Sequence, residues 1–386
     1  MTRCAVSGDA KSRAGTRNAA GVPSRQSGLT MHPGAWIRRV GRLLRTARMA
    51  FRPRAVILLY HRVASPPIDP LLLCVSPRHF EEHLAVLRKK YVPLGLTDLA
   101  AALTAGRIPN RAVAITFDDG YADNWHTAAP ILRRFGQRAT VFVAGDCLAG
   151  RPFFYDELER ILLRSPRLPR QLRFTIEGVA REWDLGEWAR LPKSPGENYW
   201  KWNMENPTDP TPRHRCYREL FDLLRGAAPA ARPRAIVALR KAAGTGAGKS
   251  AAHLWMTKVE LRLAARDGVL EFGAHTRSHP ALNKLPINDQ WEEIVSGKGM
   301  VEAVTGTPAR AFAYPYGSPW DVTSETVRLV REAGFSLACA NTPGPLDSES
   351  DLFWLPRCLV RDWDGETFSR QLNAFFQPRV EIPPQG

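Results

Sequence analysis

The sequence predicts a mostly parallel α/β sheet or barrel interrupted by a helical insertion, and three observations carry the prediction. Short apolar, β-branched runs alternate with amphipathic stretches along most of the chain, the pattern of β–α units whose strands are covered on both faces. Several of these runs stop at ionisable side chains: Tyr60-His61, Asp118-Asp119 and His275. Between about 150 and 256 the alternation gives way to helical periodicity, prolines and tryptophans, which reads as a segment folded over one end of the core.

At 386 residues, 44% of them hydrophobic, the chain can bury a sizeable core in one large domain or two ordinary ones. No apolar run approaches the roughly 18 residues of a membrane span. The formal charge of +16 is unevenly placed: residues 1–54 hold twelve Lys/Arg against one acid, Asp9, and residues 55–386 hold 42 against 37. The basicity belongs mainly to the tail, so binding of nucleic acid by the body is not expected. Six scattered cysteines with no C-x-x-C pair fit free, mostly buried thiols of a reducing compartment rather than a thiolate metal site. Residues 1–30 lack the apolar core of a secretory signal, so a cytoplasmic location is expected, and Met31 is a candidate start because the preceding stretch is small and polar.

Taken in order, residues 1–54 form a basic, partly disordered tail containing one amphipathic helix, 36–51. At about 100° per residue Trp36, Ile37, Val40, Leu43, Leu44, Ala47 and Phe51 share one arc, opposite Arg38, Arg42, Arg45 and Arg48. Such a helix can dock on the body or lie on the anionic inner surface of a membrane. The body, 55–386, opens with the strand 54–60 and its His61. Ser76 and Pro77 then start a helix on whose surface His79 and His83 are expected. A helix near 97–105 leads into Val113–Phe117, a strand ending in Asp118-Asp119-Gly120. A helix over 124–136, stopping at Gly136, and a strand over 138–144 follow.

The insertion, about 150–256, is expected to hold helices at 153–164, 213–226 and 232–243. Trp183, Trp188, Trp200, Trp202 and Trp255 there serve as packing anchors or sugar-stacking faces. Ala243-Gly244-Thr245-Gly246-Ala247-Gly248-Lys249-Ser250 loosely fits a phosphate loop, but such a loop follows a strand, and the preceding residues read as a helix ending at Gly244. Past it, Thr257 and Glu260 form a capping box, and Val269–Ala274 is a strand ending in His275-Thr276-Arg277-Ser278-His279. A helix over 289–304 and the strand-turn Arg310–Gly317 come next. A helix over 322–333 and strands at 335–340 and 355–360, then Arg361-Asp362-Trp363, complete the body.

In a parallel barrel the carboxyl ends of all strands share one rim, where chemistry collects. Two adjacent carboxylates at a strand end are costly unless a cation joins them. His275 and His279, four apart beyond another strand, would complete with Asp119 a two-histidine, one-carboxylate face with open positions. Alone, Asp118-Asp119 could be a solvated turn and H-x-x-x-H a chance pair. Their shared rim favours a metal centre.

The motifs T-F-D-D-G-Y (116–121), H-T-R-S-H (275–279) and Y-P-Y-G (314–317), in this order, resemble the polysaccharide deacetylase superfamily, the NodB-like proteins of carbohydrate esterase family four. The resemblance spans about 55–375 apart from the insertion. It implies an incomplete (β/α) barrel and a hydrolase of non-peptide carbon–nitrogen bonds. The expected reaction removes N-acetyl, sometimes O-acetyl, groups from the sugars of a polysaccharide or glycoconjugate. It further implies a divalent metal ion, zinc first, with cobalt, nickel or manganese as alternatives. Carried over, Asp118 is the general base, Asp119, His275 and His279 hold the metal, and the Tyr316 N–H meets the oxyanion.

Two departures stand out. The arginine that usually follows the phenylalanine of the third motif and holds the base is replaced by Ala313, leaving Arg310 or Arg357 as candidates for that task. The late hydrophobic-His-Asp motif is absent, and Tyr60-His61 instead matches a permuted branch, which makes His61 the general acid. Asp362 and Trp363 match the fourth motif loosely, as an orienting carboxylate and a groove wall. A catalytically impaired carbohydrate-binding scaffold and a hydrolase of a non-sugar amide or ester remain as other readings.

Overall fold

The computed structural model describes residues 54–246 and 254–377. The tail with its expected helix 36–51, the pair Lys249-Ser250 and His253 lie outside the described residues. The strands are β1 (Ala55–Tyr60), β2 (Arg62–Val63), β3 (Cys74–Val75), β4 (Val92–Leu94), β5 (Ala112–Phe117) and β6 (Ala139–Val143), followed by β7 (Gln171–Ile176), β8 (Val179–Asp184), β9 (Leu270–Ala274), β10 (Ala311–Ala313), β11 (Leu337–Cys339) and β12 (Cys358–Leu359). Eight of them form one parallel sheet in the order β11-β10-β9-β6-β5-β1-β12, with β4 beside the first half of β5.

At the centre, β1 and β5 pair in register from Ala55 opposite Ala112 to Tyr60 opposite Phe117, and every residue of both is buried. That double burial is why AVILLY and AVAITF show no polar alternation. The sheet curls until its margins nearly meet. Leu355 exchanges hydrogen bonds with the β11 side (Leu355 N to Ala338 O, 2.9 Å; Ala340 N to Leu355 O, 2.8 Å), while Cys358 and Leu359 pair with Leu58 and Leu59 of β1. A thin seam, not a full strand pair, thus closes an incomplete barrel. Only Cys358–Leu359 of the expected strand 355–360 is regular, because one short segment serves two margins.

The helices are α1 (Pro77–Lys90), α2 (Leu96–Thr104), α3 (Ala129–Phe135), α4 (Gly145–Leu148), α5 (Phe154–Leu158), α6 (Glu197–Trp200), α7 (Pro212–Gly226), α8 (Ala231–Ala243), α9 (Lys258–Asp267), α10 (Ile287–Thr305), α11 (Ser324–Glu332) and α12 (Gly365–Phe375). Ser76 caps α1, both halves of the Thr257/Glu260 capping box are made at α9, and Gly244 ends α8 in a left-handed turn. His83 corrects the expectation of a surface residue. It is fully buried, its Nε2 donating to the Trp363 carbonyl at 2.7 Å and its Nδ1 accepting from the Tyr60 hydroxyl at 3.2 Å.

The insertion has its own apolar cluster, including Leu158, Ile161, Leu172, Trp183, Trp202, Leu220 and Leu239, which merges with the barrel at Tyr121 and Cys147. Trp183, Trp202 and Trp255 are packing residues, each at most 6% exposed. Arg213, buried, ties the insertion together by donating to the carbonyls of Leu162, Ser165, Trp188 and Ala189. The insertion also holds a β7–β8 hairpin turning at Glu177-Gly178, where only helices were expected. Its signal is the alternation of Leu172, Phe174 and Ile176 before a Gly-containing turn. Cys74, Cys147, Cys216, Cys339 and Cys358 are buried, and no helix among the described residues is long and apolar enough to cross a membrane.

Candidate active site

Loops leaving the carboxyl ends of β1, β5, β9 and β10 bring His61, Asp118, Asp119, His275, His279 and Tyr316 to one cavity of about 280 Å3. The turns that do so are tight. Asp119 (φ 76°), Thr276 (φ 62°), His279 (φ 56°) and Tyr316 (φ 60°) all sit in the left-handed region that non-glycine residues avoid, which concentrates backbone strain where the functional side chains converge. Of two cavities that reach His279, this one alone also contains both aspartates and His61.

The histidine loop is braced from below by α10. The buried Glu293 carboxylate accepts from the Ser278 N–H (2.7 Å), the Ser278 hydroxyl (2.7 Å) and the Arg277 N–H (3.1 Å). Gly297 makes this approach possible, since a Cβ there would lie 2.4 Å from the Thr276 carbonyl carbon. His275 Nδ1 donates to the Ala313 carbonyl at 2.8 Å, which leaves Nε2 with its lone pair. The small side chain at 313 therefore belongs to the strand residue whose carbonyl sets the His275 tautomer.

His275 Nε2 lies 3.8 Å and His279 Nε2 3.6 Å from Asp119 Oδ1. These distances are too long for hydrogen bonds and close to the separation of donors that share one ion at roughly 2.0–2.2 Å each. Asp119 Oδ1 is buried without a partner, and burial together with the neighbouring Asp118 pushes the Asp119 carboxyl well above its usual range. Burial likewise drives both imidazoles toward the neutral, ligating form, with His275 reinforcing the effect on His279. An orphaned carboxylate oxygen facing two neutral imidazoles fits a divalent cation. Among the described residues this is the one such triad, with all three donors within 4.8 Å.

Asp118 is held differently. Arg357, buried, forks onto it with Nη1 to Oδ1 at 2.6 Å and Nη2 to Oδ2 at 2.8 Å, while its Nε donates to the Ala340 carbonyl. Burial alone would raise the Asp118 carboxyl, but the guanidinium, helped by His275, brings it below the usual carboxylate range. Arg310, the other candidate, is exposed and meets Ser336 only through its carbonyl. Asp362 is also outside the cavity, accepting from the Ser76 N–H and hydroxyl and from His79 Nδ1 at the start of α1. Trp363 packs against Phe375, with its carbonyl taken by His83. None of these three residues lines the cavity.

His61 borders the cavity, and burial pushes its pKa down to about 4, Asp118 pulling it up and Arg357 and His275 pushing it further down. The ring is thereby held toward its neutral form. The insertion supplies Tyr155, Phe221 and Arg225 to the cavity wall. Sequence reasoning missed both Tyr155 and Glu293. Nothing separates Tyr155 from its aromatic neighbours in Phe153-Phe154-Tyr155, whereas Glu293 is an acid on the buried face of α10, a readable sign of an internal partner.

The family model described as polysaccharide deacetylase matches residues 105–165 and 241–338, passing over the stretch that contains β7–β8 and α7–α8. Over these two stretches the chain is similar to the polysaccharide deacetylase family. The Bacillus subtilis (strain 168) protein YxkH, named as a polysaccharide deacetylase, is 34% identical over 103 residues, 26% of this chain. The match spans about a third of that relative's length, 36%. Among solved structures, the Streptococcus pyogenes deacetylase PplD in complex with acetate is similar over 85% of this chain and 100% of its own, at 16% identity and a TM-score of 0.52, a likeness of fold. The structure of IcaB from Ammonifex degensii covers 84% of this chain and 98% of its own, at 17% identity and a TM-score of 0.48.

Proposed function

We propose that this protein is a metal-dependent hydrolase that removes N-acetyl groups from sugars of a polysaccharide or glycoconjugate, releasing acetate and an amino sugar. The observation that supports it is the placement, in one cavity, of the Asp119–His275–His279 triad beside a second carboxylate, Asp118, clamped by Arg357. Asp119, His275 and His279 would hold the metal ion, zinc first. When bound, such an ion supplies Lewis acidity, activating water near neutral pH and polarising the acetyl carbonyl.

The chain's own residues do the rest. Asp118, ionised and fixed in orientation by two parallel N–H···O bonds, accepts the proton lost by the attacking water. The Tyr316 N–H has no acceptor among the described residues and is free to donate to the developing oxyanion. An amide anion is too poor a leaving group to depart unprotonated, so the sugar nitrogen needs a proton. His61 is the imidazole at the cavity outside the triad. Held toward its neutral form, it takes over the proton that Asp118 has accepted from water and passes it to the sugar nitrogen, its transient charge favoured by Asp118.

The test is acetate release from N-acetylated oligosaccharides by the purified protein, by its chelator-treated form, and by that form reloaded with zinc or cobalt. Release that is lost and then restored supports the reading. No release from any acetylated saccharide at full metal occupancy would sink it.

A further inference from the structure

We propose that the insertion is part of the metal site and that Tyr155 is a positioning residue for it: its hydroxyl engages one oxygen of Asp119, so that the other oxygen alone faces His275 and His279. This rests on the reading of Asp119, His275 and His279 as metal ligands. The Tyr155 hydroxyl donates to Asp119 Oδ2 at 3.3 Å, while Oδ1, the oxygen nearest both imidazoles, has no hydrogen-bond partner. A carboxylate with both oxygens free can take an ion through either or through both. A donor on Oδ2 lowers the basicity of that oxygen and leaves Oδ1 as the single ligand atom, the outer-shell task that hydrogen bonds to metal ligands perform elsewhere.

The Tyr155 ring cannot swing away from this position. It is 5% exposed, stacked on Phe153 at 5.0 Å between centroids and set edge-on to Phe154 at 5.3 Å. Phe153 in turn lies edge-on to His279 at 5.1 Å. A second arm of the insertion reaches the other ligand loop. Arg232 of α8, also buried, donates Nη1 to the His279 carbonyl at 2.9 Å and anchors itself on the Leu224 and Arg225 carbonyls at the end of α7. The barrel alone therefore supplies the ligand side chains, and the insertion fixes the conformation in which two of them are presented.

The experiment uses the full-length protein and Tyr155→Phe, which keeps the ring and deletes only the hydroxyl. Tyr199→Phe serves as the control, because it removes another buried insertion hydroxyl, bonded to the Leu163 carbonyl at 2.7 Å. Zinc is expected to bind Tyr155→Phe about tenfold more weakly, and the visible absorption of the cobalt-loaded variant is expected to change as Oδ2 becomes available, with Tyr199→Phe unchanged in both. Independently of any substitution, zinc binding to the unaltered protein is expected to slow amide hydrogen exchange across 153–163, since coupling between ligand and insertion is reciprocal. Equal zinc affinity and an identical cobalt spectrum in Tyr155→Phe, or zinc binding without protection of 153–163, overturns the proposal while leaving the metal site intact. If the unaltered protein binds neither zinc nor cobalt, the metal reading falls and takes this inference with it.

Discussion

Arg357 and Asp118, separated by 239 residues in the chain, meet in a buried, two-pronged ion pair at the wall of the cavity. The strand after Phe312 provides only Ala313 at the position from which a deacetylase base is usually held, and here the guanidinium arrives from the seam instead.

Replacing Arg357 with lysine keeps the charge and loses the fork. Activity is expected to fall by roughly tenfold to a hundredfold, mainly in kcat. Asp118 has its carboxyl lowered in the folded protein, so it works above that depressed value and is silenced as pH falls through it. Weakening the pair raises the value, and the acidic limb of the kcat/KM profile of Arg357→Lys is expected to move to higher pH. An unmoved acidic limb would show that Arg357 does not set the state of Asp118.

The buried Asp119 carboxyl is raised well above its usual range by burial and by Asp118, so without a cation its ionised form opposes folding at neutral pH. Asp119→Asn is therefore expected to stabilise the metal-free protein while abolishing the gain from zinc. That gain, in the unaltered protein, should be about 2.7 kcal/mol at zinc a hundredfold above Kd. Thermal unfolding of both proteins, with chelator and with zinc, measures the two effects at once.

Gly297→Ala places a methyl group against the Thr276 backbone, where nothing flexible can yield. A loss of roughly 1–3 kcal/mol in denaturant unfolding is expected, together with weaker zinc binding, because Thr276 lies between His275 and His279, the two histidines proposed as ligands. Gly299, with open space around it, is the control: Gly299→Ala is expected to leave zinc binding unchanged.

Two buried histidines away from the cavity contribute to the acid stability. Burial lowers both His83 and His214 to about 4, and each uses one ring nitrogen as an acceptor, from Tyr60 and from Thr211. Between about 6.5, the unfolded value, and about 4 the unfolded chain binds more protons than the folded one. Stability is then expected to be fully present above pH 6.5 and to decline as the pH drops through that window. His83→Gln and His214→Gln should flatten the slope; an unaltered slope in both would place the acid sensitivity elsewhere.

Much of this molecule was legible in the sequence because its barrel strands advertise themselves. AVILLY and AVAITF are buried on both faces, and the residues that stop them, His61 and Asp118-Asp119, stand at one rim because parallel strands must point their ends the same way. What stayed hidden depends on side chains meeting across the fold. Neither Arg357 nor Arg310 carries a local mark that distinguishes a buried guanidinium from an exposed one. His83 looks like a surface residue of an amphipathic helix until α12 and Trp363 pack over it. Inside the insertion, the β7–β8 alternation was readable and overlooked among stronger helical patterns.

The thin seam has a consequence for how the molecule comes to life. Segment 355–360 must find both β11 and β1, and the second of these is nearly three hundred residues back along the chain. Contacts of such long sequence separation form late, after shorter loops have closed. Arg357 rides on that segment, so Asp118 stays unclamped until the barrel is sewn shut, and a nascent or truncated chain ending before the seam would carry its motifs without that ion pair.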